Sequence, residues 1–409
     1  MKISDKKIDR FIFLLFLIGF LLGLGVDLYV PSLPAITKYF STQPLLVQSS
    51  ISLYMFGYGI AQIFFGIASD CTGRRKILCK ASLSYALISF FIAYSPSIFV
   101  LDLLRFAQGI AVAGLAVVGR AMLVDCFSGN DLVKASSWFG LSWSLGPIIG
   151  PFIGSYLQLF LGWHGSFYFF SFYRFALYAF IVYKIPETAP TRQEFNTAPI
   201  LKTIQKVASQ PIFIAMTMIG GLGYAAIVAF NIMGPFILQE LLGFSVIDYG
   251  YIALLLGLSY FLGCTANRIM GKYFSADMIL IYSCLAAFFL SCLFCIATLH
   301  DALSSNILLF FTLLIFFCCG FIVPCTLAKS MSIFPQHAGT ASSIFGALSG
   351  IIVAVITIFS GMISLSSILP LGFLYIFLFT LSVISLKFSL KTQPKIKYSL
   401  GSQNHDFLK

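Results

Sequence analysis

The fold is decided by Phe11-Ile-Phe-Leu-Leu-Phe-Leu-Ile-Gly-Phe20-Leu-Leu-Gly-Leu-Gly-Val-Asp27-Leu-Tyr-Val-Pro31, a run whose only charge is Asp27. A membrane-crossing helix needs about 20 mostly apolar residues. Lys2, Lys6, Lys7 and Arg10 precede the run, as in the basic flank of a signal peptide. The run is nevertheless long enough to span, and further apolar segments follow it rather than a soluble domain. It reads as a retained first span.

The rest of the chain repeats this pattern. Hydrophobic residues make up 59% of the 409 and charged residues 10%, with a mean hydropathy of +0.97. A soluble domain carries roughly 25% charged residues, so too few charges exist here to cover a water-facing surface. The 45 Phe suit helices that are apolar all round. Counting runs predicts an all-α membrane protein with twelve spans, near 11–39, 46–69, 77–95, 98–125, 135–158, 164–184, 211–238, 247–268, 277–299, 305–328, 338–362 and 366–388. They are numbered 1 to 12 below. The polar stretch 185–210, with Pro186, Glu187, Pro190, Arg192, Glu194 and Pro199, lies at the middle of the chain and reads as a cytoplasmic linker. It divides an N-terminal six-helix bundle, 1–184, from a C-terminal one, 211–390, with a cytoplasmic tail at 391–409.

The net charge of +11 would suit nucleic acid if the Lys and Arg gathered on one soluble face. Instead they fill short gaps between spans. With the N-terminus in the cytoplasm, 21 of the 25 Lys and Arg fall on the cytoplasmic side and only Lys38 on the other. Arg105, Arg120 and Arg174 lie within spans. This asymmetry predicts an even number of spans with both termini cytoplasmic, and argues against nucleic-acid binding.

An internal repeat supports two related halves. Asp27-Leu-Tyr-Val-Pro31 in span 1 matches Asn231-Ile-Met-Gly-Pro235 in span 7 at an offset of 204, and Phe40-Ser41 and Phe244-Ser245 keep that offset. Gly66-x-x-x-Asp70-Cys-x-Gly73-Arg-Arg after span 2 parallels Gly263-x-x-x-Asn267-Arg-x-x-Gly271-Lys after span 8. Repeats of this kind place a substrate site between the halves near the bilayer midplane.

Charges within a bilayer are costly and therefore mark candidate functional groups. Asp27 sits past the middle of span 1, just before Pro31 and Pro34, which remove backbone hydrogen bonds and loosen the helix. A carboxylate in a cavity that opens to each side in turn can take a proton on one side and release it on the other. The alternative is a fixed ion pair with an Arg from a neighbouring span. Arg105 and Gln108 share one face of span 4, where Arg105 either lines the cavity or snorkels to the interface. Arg174, midway along span 6, faces the cavity or belongs to a shifted span. Tyr29, Tyr54, Tyr58, Trp143, Phe230 and Asn231 are candidate cavity residues.

The loop Gly66-Ile-Ala-Ser-Asp70-Cys-Thr-Gly73-Arg74-Arg75-Lys76 is short and charged. Asp70 can bond a helix N-terminus and Arg74 can pair with Asp125, giving a latch at the cytoplasmic end. Span 5 carries Gly140, Gly146-Pro147, Gly150-Pro151 and Gly154, small residues at four-residue spacing that pack closely and prolines that add a bend. No catalytic constellation is legible. The four His are scattered, and no phosphate-binding loop for ATP occurs. Cys292-x-x-Cys295 lacks the second pair and nearby His that a metal site needs, so neither a metal nor a disulfide framework is expected among the ten Cys.

At these motifs the chain resembles the major facilitator superfamily over nearly its whole length. Gly66-x-x-x-Asp70-x-x-Gly73-Arg74-Arg75 is similar to that family's loop between spans 2 and 3. Arg105-Phe-Ala-Gln108-Gly109 and Gly146-Pro147-x-x-Gly150-Pro151 are similar to span-4 and span-5 motifs of its drug:proton antiporter branch. Val26-Asp27-Leu-Tyr29-Val-Pro31-x-Leu33-Pro34, Gly119-Arg120-Ala-Met-Leu-Val-Asp125, Pro186-Glu187-Thr188 and Gly339-Thr340-Ala341-Ser342-Ser343 resemble the Bcr/CflA group of multidrug efflux transporters.

The resemblance implies a monomer in the bacterial inner membrane that exports drug-like compounds in exchange for protons, with the proton gradient as its only energy source and no cofactor. It implies that Asp27 takes the proton and that Arg105 modulates it. Gly66, Asp70, Gly73, Arg74, Arg75, Arg120 and Asp125 would form the cytoplasmic gate, and Gly146, Pro147, Gly150 and Pro151 the antiporter helix. Three positions depart from the pattern: Cys71, His164 and Arg174. The last points to an anionic or otherwise unusual substrate. A metabolite or siderophore transporter of the same fold is the alternative, and a non-transporting membrane sensor is a further one.

Overall fold

The computed structural model describes residues 5–127, 129–189, 205–207, 209–301, 303–334, 338–363 and 366–392. The linker at 190–204 and the tail at 393–409 lie outside them, as do the side chains of Asp70 and Lys134. Helices account for almost all of the described chain. Eleven of them, among the described residues, are long and apolar enough to cross a membrane. A further helix, Pro44–Thr72, is 29 residues long and stands where the second span is expected.

Span 1 is not one helix. Asp5–Asp27 ends at the carboxylate, a 3-10 turn follows over Val30–Ser32, and Leu33–Tyr39 continues as a short helix. The cause is Pro31, which has no N–H to give to the carbonyl of Asp27, and Pro34, which has none for Val30. The tighter bonds Ser32 N to Tyr29 O (2.9 Å) and Leu33 N to Val30 O satisfy the turn instead. Span 7 behaves in parallel: Pro211–Pro235 runs into a π-helix, Phe236–Leu241, immediately after the proline equivalent to Pro31. The same local cause gives a tightened turn in one half and a widened turn in the other.

Spans 3 to 6 are Arg74–Ala93, Ile98–Cys126, Gly129–Leu161 and His164–Lys184. Spans 8 to 12 are Val246–Met270, Ala276–His300, Ser305–Ser332, Ala338–Gly361 and Leu369–Thr392. Span 5 is longer than its apolar run suggests, because the polar turn from Gly129 also winds as helix.

Packing repeats between the halves. Spans 2 and 4, 1 and 5, 3 and 6, and 3 and 4 pack together, as do 8 and 10, 7 and 11, 9 and 12, and 9 and 10. The halves meet through spans 2 and 11 and through spans 5 and 8, which exchange under the same six-span shift. Glycines allow the closest crossings: a Cβ on Gly146 would fall on the backbone of Gly23, and one on Gly320 would sit 2.8 Å from the Cα of Gly263. Large apolar side chains such as Phe64, Phe160 and Phe172 face outward at 66%, 74% and 78% exposure, while Arg105 and Arg174 are fully buried. That inversion of a soluble protein fits a lipid surround.

Candidate functional site

Asp27 lies where the two halves meet. It is 3% exposed and accepts a hydrogen bond from Nδ2 of Asn231 on span 7. It forms no ion pair among the described residues, so the fixed pairing with Arg105 or Arg174 is not what holds it. Span 5 presses on the same turn. A Cβ on Gly150 would sit 3.1 Å from that of Asp27, and one on Gly154 would strike the Leu28 carbonyl. Pro147 and Pro151 lie inside this helix, on the stretch facing span 1. Tyr224 and Tyr249 of the C-terminal half are close enough to feel the Asp27 charge. Neither was among the expected cavity residues.

Arg105 is buried one layer away, within the N-terminal half. Its guanidinium lies between the rings of Tyr29 (4.4 Å) and Tyr54 (4.2 Å), a cation–π sandwich. Nη1 donates to Gln108 Oε1, and Nη2 donates to the Gly25 carbonyl at 3.3 Å, two residues before Asp27. Gln108 Nε2 in turn donates to Ser89 Oγ at 2.7 Å, and the Tyr29 hydroxyl shares a 2.8 Å hydrogen bond with Ser50. Arg105 is therefore no interfacial snorkeller. Asp102, one turn earlier on span 4, accepts from Ser49 Oγ at 2.9 Å. Standing near the start of its apolar run, Asp102 carries little signal in sequence, since a charge there can reach the interface. Phe230 packs against Phe316, with Trp143 among the cluster around Phe139 and Leu115 rather than at Asp27.

At the other end of the N-terminal half, the structure brings Arg74 and Asp125 together at 2.9 Å, with Arg74 Nη1 also donating to Ser69 Oγ at 2.7 Å. Gly73 takes φ +100°, a conformation that favours glycine, and opens the way for Glu187. That carboxylate accepts from the backbone N–H of Arg74 (2.8 Å) and Arg75 (3.4 Å), capping span 3. It also accepts from Thr188 and Ala189. Partial burial pushes the Glu187 carboxyl up, but the four N–H donors outweigh it and hold the group below its ordinary value. Arg75 donates to the Val182 carbonyl at 2.6 Å. A Cβ on Gly66 would meet, among the described residues, only Val117 of span 4, at 3.9 Å. Arg120 sits apart from this network. It donates to Gln62 at 2.7 Å, and Gln62 lies against Gly346 of span 11. The corresponding corner of the other half holds an ion pair between Lys329 and Asp277. Lys329 is 204 residues after Asp125, so the pair recurs with its charges exchanged.

Hydrogen bonds between the halves gather at the end where span 1 finishes. Gln48 Nε2 donates to the Ile232 carbonyl (3.4 Å), Ser52 bonds Thr357 (2.7 Å) and Gln239 donates to the Pro31 carbonyl (3.0 Å). A cavity of about 430 Å³ lies there, lined by Gln43, Gln48, Phe236, Glu240 and Gly361 among others.

The profile of the Major Facilitator Superfamily matches residues 15–357. A bicyclomycin resistance protein homolog of Haemophilus influenzae is 30% identical over 258 residues, 61% of this chain and 63% of that protein. The multidrug resistance protein MdtL of Vibrio parahaemolyticus is 27% identical over 378 residues, 90% of this chain and 92% of that one. Among solved structures, that of a D-xylose-proton symporter superposes with a TM-score of 0.78 at 14% identity, covering 95% of this chain and 99% of the other. At that identity the likeness concerns the fold alone.

Proposed function

We propose, on the premise that this chain belongs to the major facilitator superfamily, that it is a proton-coupled antiporter exporting drugs or other small amphipathic compounds across a bacterial inner membrane. Names of two relatives, a bicyclomycin resistance protein homolog and a multidrug resistance protein, support the drug-export part. The observation that carries the proton part is Asp27, a carboxylate buried between the halves, in no ion pair among the described residues and held by Asn231.

With the N-terminus in the cytoplasm, the end joined by Gln48, Ser52 and Gln239 is the outer one, and the conformation is closed outward. The halves 1–184 and 211–390 rock about this contact. A hydrogen bond to a carboxylate is stronger when the carboxylate is ionised. Protonation of Asp27 and closure of the outer end are therefore coupled through Asn231. Arg105 and its two tyrosines form a buried layer next to the Asp27 turn, and the glycine face of span 5 packs closely against that turn. The Arg74–Asp125 pair and the Glu187 cap hold spans 2, 3, 4 and 6 as one body at the inner end.

Transport by the purified chain in proteoliposomes with an imposed pH gradient tests this reading. Export should follow the gradient and vanish in Asp27→Asn. Export that ignored the gradient, or that persisted in Asp27→Asn, would overturn it.

A further inference from the structure

Among the described residues, Arg174 is the one fully buried cation that the antiporter reading does not employ. Its backbone is fixed: Ser82 Oγ on span 3 donates to the Arg174 carbonyl at 3.0 Å. Its side chain is fully buried, with the guanidinium 4.4 Å above the ring of Tyr85. None of Nε, Nη1 and Nη2 makes a well-formed hydrogen bond among the described residues, and the Tyr85 hydroxyl, its polar neighbour together with Tyr54, makes none either. Other arginines within spans of this half are served differently: buried Arg105 reaches Gln108 and the Gly25 carbonyl, and half-buried Arg120 reaches Gln62. No carboxylate of the described residues forms an ion pair with Arg174: Asp27 accepts from Asn231 and Asp102 from Ser49.

A cation–π contact offsets part of the cost of burying a guanidinium but leaves its five N–H donors unmet. An unpaired charge in a low-dielectric interior is strongly unfavourable, and a hydrogen-bonded counter-charge relieves it. The donor set here, a planar fork beside a phenol, matches the two oxygens of a carboxylate. Tyr54 and Tyr85 both lie within electrostatic reach of Arg105 as well as Arg174. The orphan fork and the Tyr85 ring lie between spans 6 and 3, inside the N-terminal half that also holds Arg105.

We propose that Arg174 anchors a buried site for a singly charged anion, with the Tyr85 hydroxyl as its second donor. The anion is a carboxylate on the transported compound or a free inorganic anion. The first source rests on the export reading and deepens it: the chain would then favour acidic or zwitterionic compounds over purely cationic ones.

The test is the unfolding midpoint of the purified full chain in detergent, titrated with benzoate, with its neutral counterpart benzamide, and with chloride. Benzoate should raise the midpoint by about 2–4 °C where benzamide does not, with apparent affinity falling at least tenfold in Arg174→Gln. Arg174→Lys, which keeps the charge but not the fork, should fall between. Protection by benzoate but not chloride assigns the site to the compound, and equal protection by chloride assigns it to a free anion. Should Arg174→Gln not fold, Tyr85→Phe should weaken benzoate several-fold. Benzoate and benzamide acting alike with chloride inert, or Arg174→Gln keeping the full response, would sink the proposal. No pH gradient is applied, so the outcome is separate from whether export is proton-driven.

Discussion

Asn231 donates to the carboxylate of Asp27 across the interface between the two halves, and the two residues stand at the same position of the internal repeat, 204 apart. One half keeps an ionisable group there and the other keeps its uncharged amide counterpart. A pair of carboxylates so close would repel, and a pair of amides would carry no proton. On the proposed antiporter reading, divergence at this position makes the contact both stable and responsive to protons.

Loss of that donor should therefore loosen the outer end. A hydrogen bond to a charged group is worth about 1.5–3 kcal/mol, so Asn231→Ala should shift the balance toward outer opening about ten- to a hundredfold. The readout is labelling of a cysteine placed at Met233, which is fully buried, in a background without reactive native thiols. Faster labelling in Asn231→Ala is expected while Asp27 is ionised. Unchanged labelling would show that the contact does not hold the end shut.

Much of this was legible in the sequence, and the reasons for success and failure are physical. Apolar runs revealed the spans because each must cross about 30 Å of hydrocarbon. Asp27, Arg105 and Arg174 stood out because charge inside a bilayer needs a reason. Pro31 and Pro235 marked where the helices break, but not that one break would tighten into a 3-10 turn and the other widen into a π-turn. Facing residues were mostly illegible. Lipid is as apolar as a neighbouring helix, so a uniformly apolar span does not disclose its packed face, and Tyr224, Tyr249 and the Ser49–Asp102 contact went unseen. Glu187 was noticed only as a linker residue and as part of Pro186-Glu187-Thr188. Its capping role depends on a contact across more than a hundred residues of chain.

The Glu187 cap sets a pH dependence at the inner end. Its carboxyl is held below the ordinary value of 4.5 in the folded chain. A carboxylate depressed in this way contributes stability that is present above 4.5 and is lost as pH falls through the folded value. Glu187→Gln should remove that acid-side loss and lower stability by about 1 kcal/mol near neutrality, in the range of other helix caps. Thermal unfolding followed from neutral to acidic pH measures both. Parallel curves for the two proteins would mean that Glu187 is not the group responsible.

The exchanged ion pairs give a second handle on the repeat. Lys329–Asp277 holds spans 9 and 10 as Arg74–Asp125 holds spans 3 and 4. With Asp277 42% exposed, a pair of this kind is worth about 0–1 kcal/mol. Asp277→Lys or Lys329→Asp alone brings like charges together and should slow transport several-fold. The double reversal restores opposite charges with the polarity of the other half and should recover most of the rate. Initial rates in the same vesicles decide this, and a double variant no better than either single one would deny the pair any role.

Span 5 separates glycines that are needed for close approach from one that is not. A Cβ at Gly146 would land on the backbone of Gly23, where neither chain has a flexible end to move. Gly146→Ala should therefore destabilise by about 1–3 kcal/mol, as overpacking does. At Gly150 the obstacle is the Asp27 Cβ at 3.1 Å, so Gly150→Ala should disturb proton coupling more than folding, seen as export that responds less to an imposed pH gradient. Gly140 has nothing within 4 Å of an added Cβ. Gly140→Ala should leave transport intact and add up to about 1 kcal/mol, because alanine is the better helix former. Unfolding midpoints and gradient-driven export for the three variants would fall in that order if span 5 slides against the Asp27 turn. Equal tolerance at Gly146 and Gly140 would mean that the close crossing with span 1 is absent in the membrane.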